Sequence, residues 1–191
     1  VLVNGPVNMC PNSLIRYKLG TSLRYHRLFN DEGSETKGSS QQKALVLLSY
    51  LESESKLTLE SLLKTEYRHQ EIFVKPHPAL SIKAIRHLLP ENWQLISGDL
   101  YDWFDCVDLV IVAASGTAAE AAAMGKSVIV LGNASGVTSN PMLSLGKGKI
   151  WDLAETSEDI SIKSNQLSIY RKDNQKECQQ LFDSYKRLLF T

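Results

Sequence analysis

The stretch DLVIVAASGTAAEAAAMGKSVIVLGN, residues 108–133, decides how this chain is read. Residues 108–114 form a β-branched, apolar run of strand length, and residues 127–131 form a second. Between them Ser115-Gly116-Thr117 stands where a strand's carboxyl end hands over to the amino end of an Ala-rich helix. Thr117 and Glu120 have the S/T-x-x-E spacing of a capping box. Gly125 stands where a helix-ending C′ residue is expected. Free N–H groups at a helix start, with small residues beside them, suit a phosphate. The stretch therefore reads as one β-α-β unit and as a candidate ligand site.

Working outward, the same alternation repeats. Residues 43–50 (KALVLLSY) read as a buried strand, and residues 57–68 carry Leu59, Leu62 and Leu63 at helical spacing. A second strand is expected at 71–75 (EIFVK), ended by Pro76-His77-Pro78, and a short helix at 81–89, before Pro90. Residues 93–97 (WQLIS) give a third strand and 100–106 one or two helical turns. After the opening stretch come a Gly-, Ser- and Asn-rich loop, a short strand at 150–153, a loose helix at 157–167 and a long one at 174–190. Strands alternating with helices imply a parallel sheet covered on both faces, with right-handed crossovers. In such sheets ligands bind beyond the strands' carboxyl ends, near a switch in strand order. Ser49-Tyr50, Pro76-His77-Pro78 and Ser115-Gly116-Thr117 all fall at such ends.

Residues 1–42 read differently from residues 43–191, the expected domain. A turn is expected at 1–7, a short helix from Cys10 through Leu19, and a polar linker at 30–42. The segment reads as the tail of a preceding domain with its connection, or as a mobile terminal arm.

Composition narrows the function classes. The 191 residues carry 21 basic and 21 acidic side chains, so bulk charge points to no nucleic-acid partner. No apolar run approaches the ~20 residues of a membrane span. The 3 cysteines are an odd set without C-x-x-C spacing, which argues against a disulfide framework or zinc site and fits a reducing cytoplasm. Gly125-Lys126-Ser127 mimics the end of a phosphate-binding P-loop, but Glu120 stands where its first glycine belongs and the order is helix to strand. Asp99, Asp102, Asp105 and Asp108 read as a solvated helix edge rather than a carboxylate site. Taken singly, Glu120 is explained by capping and His77 by a turn.

Taken together, K-P-H-P at 75–78 and SGTAAEAAAMGKSVIV at 115–130 are more specific. The pair resembles the C-terminal, donor-binding domain of two-domain (GT-B) glycosyltransferases of bacterial surface carbohydrates, of the capsule and lipopolysaccharide type. Bacterial sialyltransferases, Kdo transferases and glycerophosphate polymerases carry a similar HP motif and later Ser/Thr motif. The resemblance covers roughly residues 43–153. It implies a three-layer, Rossmann-like α/β fold, the C-terminal half of a GT-B enzyme.

For function, the resemblance implies transfer of a sugar from a CMP- or UDP-type nucleotide donor, a substrate rather than a cofactor, with no cofactor and no metal. His77 and Pro78 match the HP motif, whose His contacts the nucleotide or its phosphate and is the candidate catalytic residue. Ser115, Gly116 and Thr117 match the phosphate-holding Ser/Thr motif, although the common Ser-Ser pair is here Ser115-Gly116. Glu120 matches the acidic residue that binds ribose hydroxyls, and Lys75 stands where it can offset phosphate charge. Residues 132–142 match the loop facing the acceptor domain. A glycan or lipid-linked acceptor would be held by an N-terminal domain outside this sequence, in the cytoplasm or at the inner membrane face. Two rivals are an enzyme like UDP-N-acetylglucosamine 2-epimerase and a non-catalytic nucleotide-binding scaffold.

Overall fold

A computed structural model describes residues 2–3, 14, 16, 18–20, 26–30, 43–113, 115–132 and 140–190. At the start, β1 (Leu2–Val3) pairs in parallel with β2 (Lys18–Leu19), and α1 spans His26–Asn30. The expected turn at 1–7 is therefore strand at Leu2–Val3, and the expected helix through Leu19 is a bend at Leu14, irregular at Arg16 and strand at Lys18–Leu19. The rest of both segments, and the linker at 31–42, lie outside the described residues.

The chain continues as β3 (Ala44–Leu47), α2 (Glu52–Leu63), β4 (Ile72–Lys75), α3 (Ile82–Ile85), β5 (Trp93–Leu95) and α4 (Tyr101–Phe104). It ends as β6 (Leu109–Val112), α5 (Thr117–Ala123), β7 (Ser127–Leu131), β8 (Trp151–Ala154), α6 (Ser157–Asp173) and α7 (Gln175–Phe190). The strands form one parallel sheet of 6 in the order β5-β4-β3-β6-β7-β8. This is the doubly wound, Rossmann-like α/β arrangement expected from the sequence.

Both faces are covered, which is why the strands are apolar at consecutive positions. Leu45, Phe73, Val110 and Val128 face α4, α5 and α7, where they meet Tyr101, Phe104, Phe182 and Tyr185. Val46, Val74, Ile111 and Ile129 face the other way, toward Leu59, Leu62, Ile85 and Ile160. The alanines of α5 are all buried, and their small side chains let α5 lie close between the sheet and α7. After Met124 the α5 helix closes in a Schellman motif. Gly125 takes φ +76°, its N–H bonds to Ala122 (2.9 Å), and the Lys126 N–H reaches back to Ala121 (3.0 Å). Lys126 itself is buried at the amino end of β7, opposite the candidate loops, and burial pushes its ammonium pKa down.

Two helices differ from expectation. The α2 helix starts and ends five residues early, because Thr65 bonds the Leu62 carbonyl (2.7 Å) and accepts the Tyr67 N–H (3.2 Å), turning the chain into a 3-10 turn. The α6 helix runs on to Asp173 from a true capping box, Thr156 with Asp159.

The N-terminal helix is part of this packing. Leu28 is fully buried in the α4–α5–α7 core, and the Arg27 guanidinium bridges Asp99 (2.8 Å) and Asp102 (2.7 Å). The aspartates read as a solvated edge thus serve as a clamp for α1.

One glycine tests the loop leading into β8. Gly146 has φ +75°, and a Cβ there would stand 2.7 Å from Ile150 Cγ1. Gly146→Ala should cost roughly 2–4 kcal/mol in urea unfolding, left-handed strain plus overpacking. Gly98→Ala, at φ +86° with open space beyond, should cost only the strain, about 1–2 kcal/mol.

Candidate functional site

From β3 the chain adds β4 and β5 on one side, then returns to place β6 on the other. The switch point lies between β3 and β6, and three loops surround it. After β3, Ser49 Oγ accepts the Leu51 N–H (3.2 Å) and the Ser55 hydroxyl donates to the Ser49 carbonyl (2.9 Å). That turn projects Tyr50, which is 62% exposed.

After β4, the two prolines hold His77 at the surface. Its Nδ1 accepts the Ala79 N–H (3.1 Å), and its carbonyl accepts the Leu80 N–H (2.9 Å). With Nδ1 an acceptor, Nε2 carries the proton and is left as a donor. The ring also meets the Tyr50 ring edge-on, centroids 5.9 Å apart. Lys75 is committed elsewhere in part: its ammonium donates to the Gly98 carbonyl (2.7 Å), in the loop after β5.

After β6, Ser115 Oγ donates to Thr117 Oγ1 (3.0 Å) and accepts the Thr117 N–H (3.3 Å). This local turn displaces the expected capping box. Thr117 is the first residue of α5, the cap is Gly116, and no side chain caps the helix. Gly116 is exposed, at φ −57°, and a Cβ on it would meet nothing, so a serine fits there sterically. Because α5 has only 7 residues, its macrodipole is small; the Thr117, Ala118 and Ala119 N–H groups are bonded within the turn, so its two hydroxyls are what it offers an anion.

Glu120, freed from capping, is 4% exposed and accepts the Tyr101 hydroxyl on Oε2 (2.8 Å). Tyr101 is the first residue of α4, three residues after the Gly98 carbonyl that holds Lys75. The Tyr101 N–H bonds Asp99 (3.1 Å) and, with Arg27 second, holds the Asp99 carboxyl below its usual range. Neither Tyr101 nor Tyr50 was among the sequence candidates. Tyr50 was signalled by its place at a strand's carboxyl end, whereas Tyr101 had no local signal. Of the loop at 132–142, residues 133–139 lie outside the described residues. Among the described residues, no group of three or more His, Cys, Asp or Glu could hold a metal ion, and no helix is long and apolar enough to cross a membrane.

Three variants read this geometry through stability. Glu120→Ala strips the buried Tyr101 hydroxyl of this acceptor and should cost about 1–3 kcal/mol, while Glu120→Gln keeps an oxygen there and should cost under about 1. Asp99 has its folded pKa lowered, so its contribution is present above the normal carboxylate range and is lost as pH falls through the folded value. Arg27→Ala should therefore flatten the acid limb of the stability profile, measured by urea midpoints between about pH 6 and 3.

No family model matches the sequence, and no curated protein matches it. Among solved structures it is similar to the wall teichoic acid polymerase TagF, at 14% identity and TM-score 0.51, over 80% of this chain and 39% of that one. It is also similar to the beta Kdo 2,7 transferase of Thermosulfurimonas dismutans KpsC (23% identity, TM-score 0.43, 63% and 41% covered). A third is UDP-GlcNAc 2-epimerase from Neisseria meningitidis (20% identity, TM-score 0.49, 78% and 40% covered). The chain spans about two fifths of the length of these structures. At such identities the likeness is one of fold: the chain shares its Rossmann-like α/β sheet with part of the TagF structure.

Proposed function

We propose that this chain is the donor-binding domain of a glycosyltransferase that builds a bacterial surface polysaccharide, of capsule or lipopolysaccharide type. The donor is a CMP- or UDP-type nucleotide sugar. One observation carries the reading: the exposed His77, with Nε2–H left as a donor, and the Ser115–Thr117 turn cap β4 and β6, the two neighbours of β3 at the switch point. Two strand spacings, about 10 Å, separate those strands.

In this reading negative charge builds on the leaving nucleotide phosphate as the glycosidic bond breaks. Preorganised donors aimed at that charge lower the barrier, because they need no reorientation during the reaction. The Ser115 and Thr117 hydroxyls take the phosphate oxygens. His77 Nε2–H approaches from the β4 side, fixed in that tautomer by the Ala79 N–H. Glu120 receives the ribose hydroxyls. Lys75, tied to Gly98, adds positive charge to the same edge. A base that activates a glycan or lipid-linked acceptor belongs to a further domain, at the inner face of the membrane.

His77→Asn separates binding from folding. The Asn Oδ1 can accept the Ala79 N–H as Nδ1 does, but no donor replaces Nε2–H. The full-length variant should unfold with the wild-type midpoint and transfer sugar at least about tenfold more slowly. Unchanged turnover contradicts the assignment. Release of a 2-epimer from UDP-N-acetylglucosamine would point to an epimerase instead, and failure to bind any nucleotide to a scaffold.

A further inference from the structure

Glu120 is poorly explained as packing. Every other residue of α5 from Ala118 to Ala123 is a buried alanine, and an alanine would serve the close approach of helix and sheet equally well. The capping role that would account for an acid in the first turn is absent. A carboxylate that is 4% exposed carries a desolvation cost that an apolar side chain avoids. Helical Cα–Cβ bonds tilt toward the amino end, so a side chain one turn into α5 leans back toward Ser115–Thr117.

Tyr101 is one partner that fixes this carboxylate. Its hydroxyl donates to Oε2 at 2.8 Å, and its ring is locked from two sides. Phe104 packs against it edge-on, centroids 5.7 Å apart, and the Arg27 guanidinium lies 5.6 Å from its centroid. Arg27 in turn grips Asp99 and Asp102, on either side of Tyr101. Gly98, at φ +86°, turns the start of the same stretch, and its carbonyl accepts the Lys75 ammonium. The short stretch from Gly98 to the first residue of α4 thus holds a charged side chain from each wall of the crevice.

We propose that Tyr101 is a positioning residue of the donor site: its hydroxyl occupies one carboxylate oxygen of Glu120 and sets the rotamer in which the carboxylate meets the ribose hydroxyls of the nucleotide. Arg27 holds the Tyr101 ring, so the segment before the domain supports the same contact. This rests on the donor-site reading given above.

The test is calorimetry of the full chain with CMP, UMP and their 2′-deoxy forms. Wild type should prefer the ribonucleotides by roughly tenfold, the worth of a hydrogen bond to a charged group. Tyr101→Phe should bring that preference down to about twofold while leaving the 2′-deoxynucleotide affinity unchanged. A merely structural role would weaken both nucleotides alike, and that result overturns the proposal. So does an unchanged preference in Tyr101→Phe, or in Arg27→Ala if the first variant does not fold. Equal binding of ribo and 2′-deoxy forms by wild type overturns the proposal but leaves the donor site standing. No binding of any nucleotide by wild type removes the donor site, and the proposal with it.

Discussion

A parallel sheet cannot be closed by hairpins, so each strand is fed back by a crossover, and crossovers turn one way. With β4 and β5 laid on one side of β3 and β6, β7 and β8 on the other, the loops after β3 and β6 leave in opposite directions. A crevice at the carboxyl edge follows from that reversal. The two apolar layers lock the sheet that carries it, and the polar turns lie at the edge because neither layer has room for them.

The walls of the crevice are held by contacts that run across the sequence. On one side the prolines around His77 and the Ala79 N–H fix a ring whose outer nitrogen is left as a donor. On the other, Ser115 makes a local turn instead of a helix cap, which leaves Glu120 to Tyr101. The 98–102 stretch ties both walls together, and Arg27 fastens that stretch from a segment 72 residues earlier than Asp99. The edge is thus more rigid than a set of surface loops, as preorganised charge stabilisation requires.

The six strands of the main sheet were legible because they are apolar runs ended by polar or turn-forming residues, whereas β1 and β2, two residues each, were expected as turn and helix. The order of the six was not legible, since pairing joins segments distant in sequence and local pattern does not encode it. The α2 stripe was read correctly, since Leu59 and Leu62 are buried, but its bounds were not: the start is marked by a buried Ser55, while Leu57, where the helix was expected to begin, is 53% exposed. The α6 helix hid its length in the same way, with Ser164 buried and Ile162 and Ile169 exposed. His77 and Ser115–Thr117 were found because motif and strand end coincide within a few residues. Glu120 was singled out by the resemblance, against a capping spacing that its helix does not use, and its partner Tyr101 lies 19 residues away. The clasp of Arg27 on Asp99 and Asp102 left no local trace, and the acidic repeat looked like ordinary surface.

The central claim is that a pyrimidine nucleotide sits at the carboxyl edge of β4 and β6. Backbone amide NMR of this chain titrated with CMP or UDP tests it most directly. The account predicts shifts concentrated at residues 77–80 and 115–120, and little change at the opposite edge around Lys126 and Ser127. Shifts confined to that opposite edge, or none at saturating nucleotide, would contradict it.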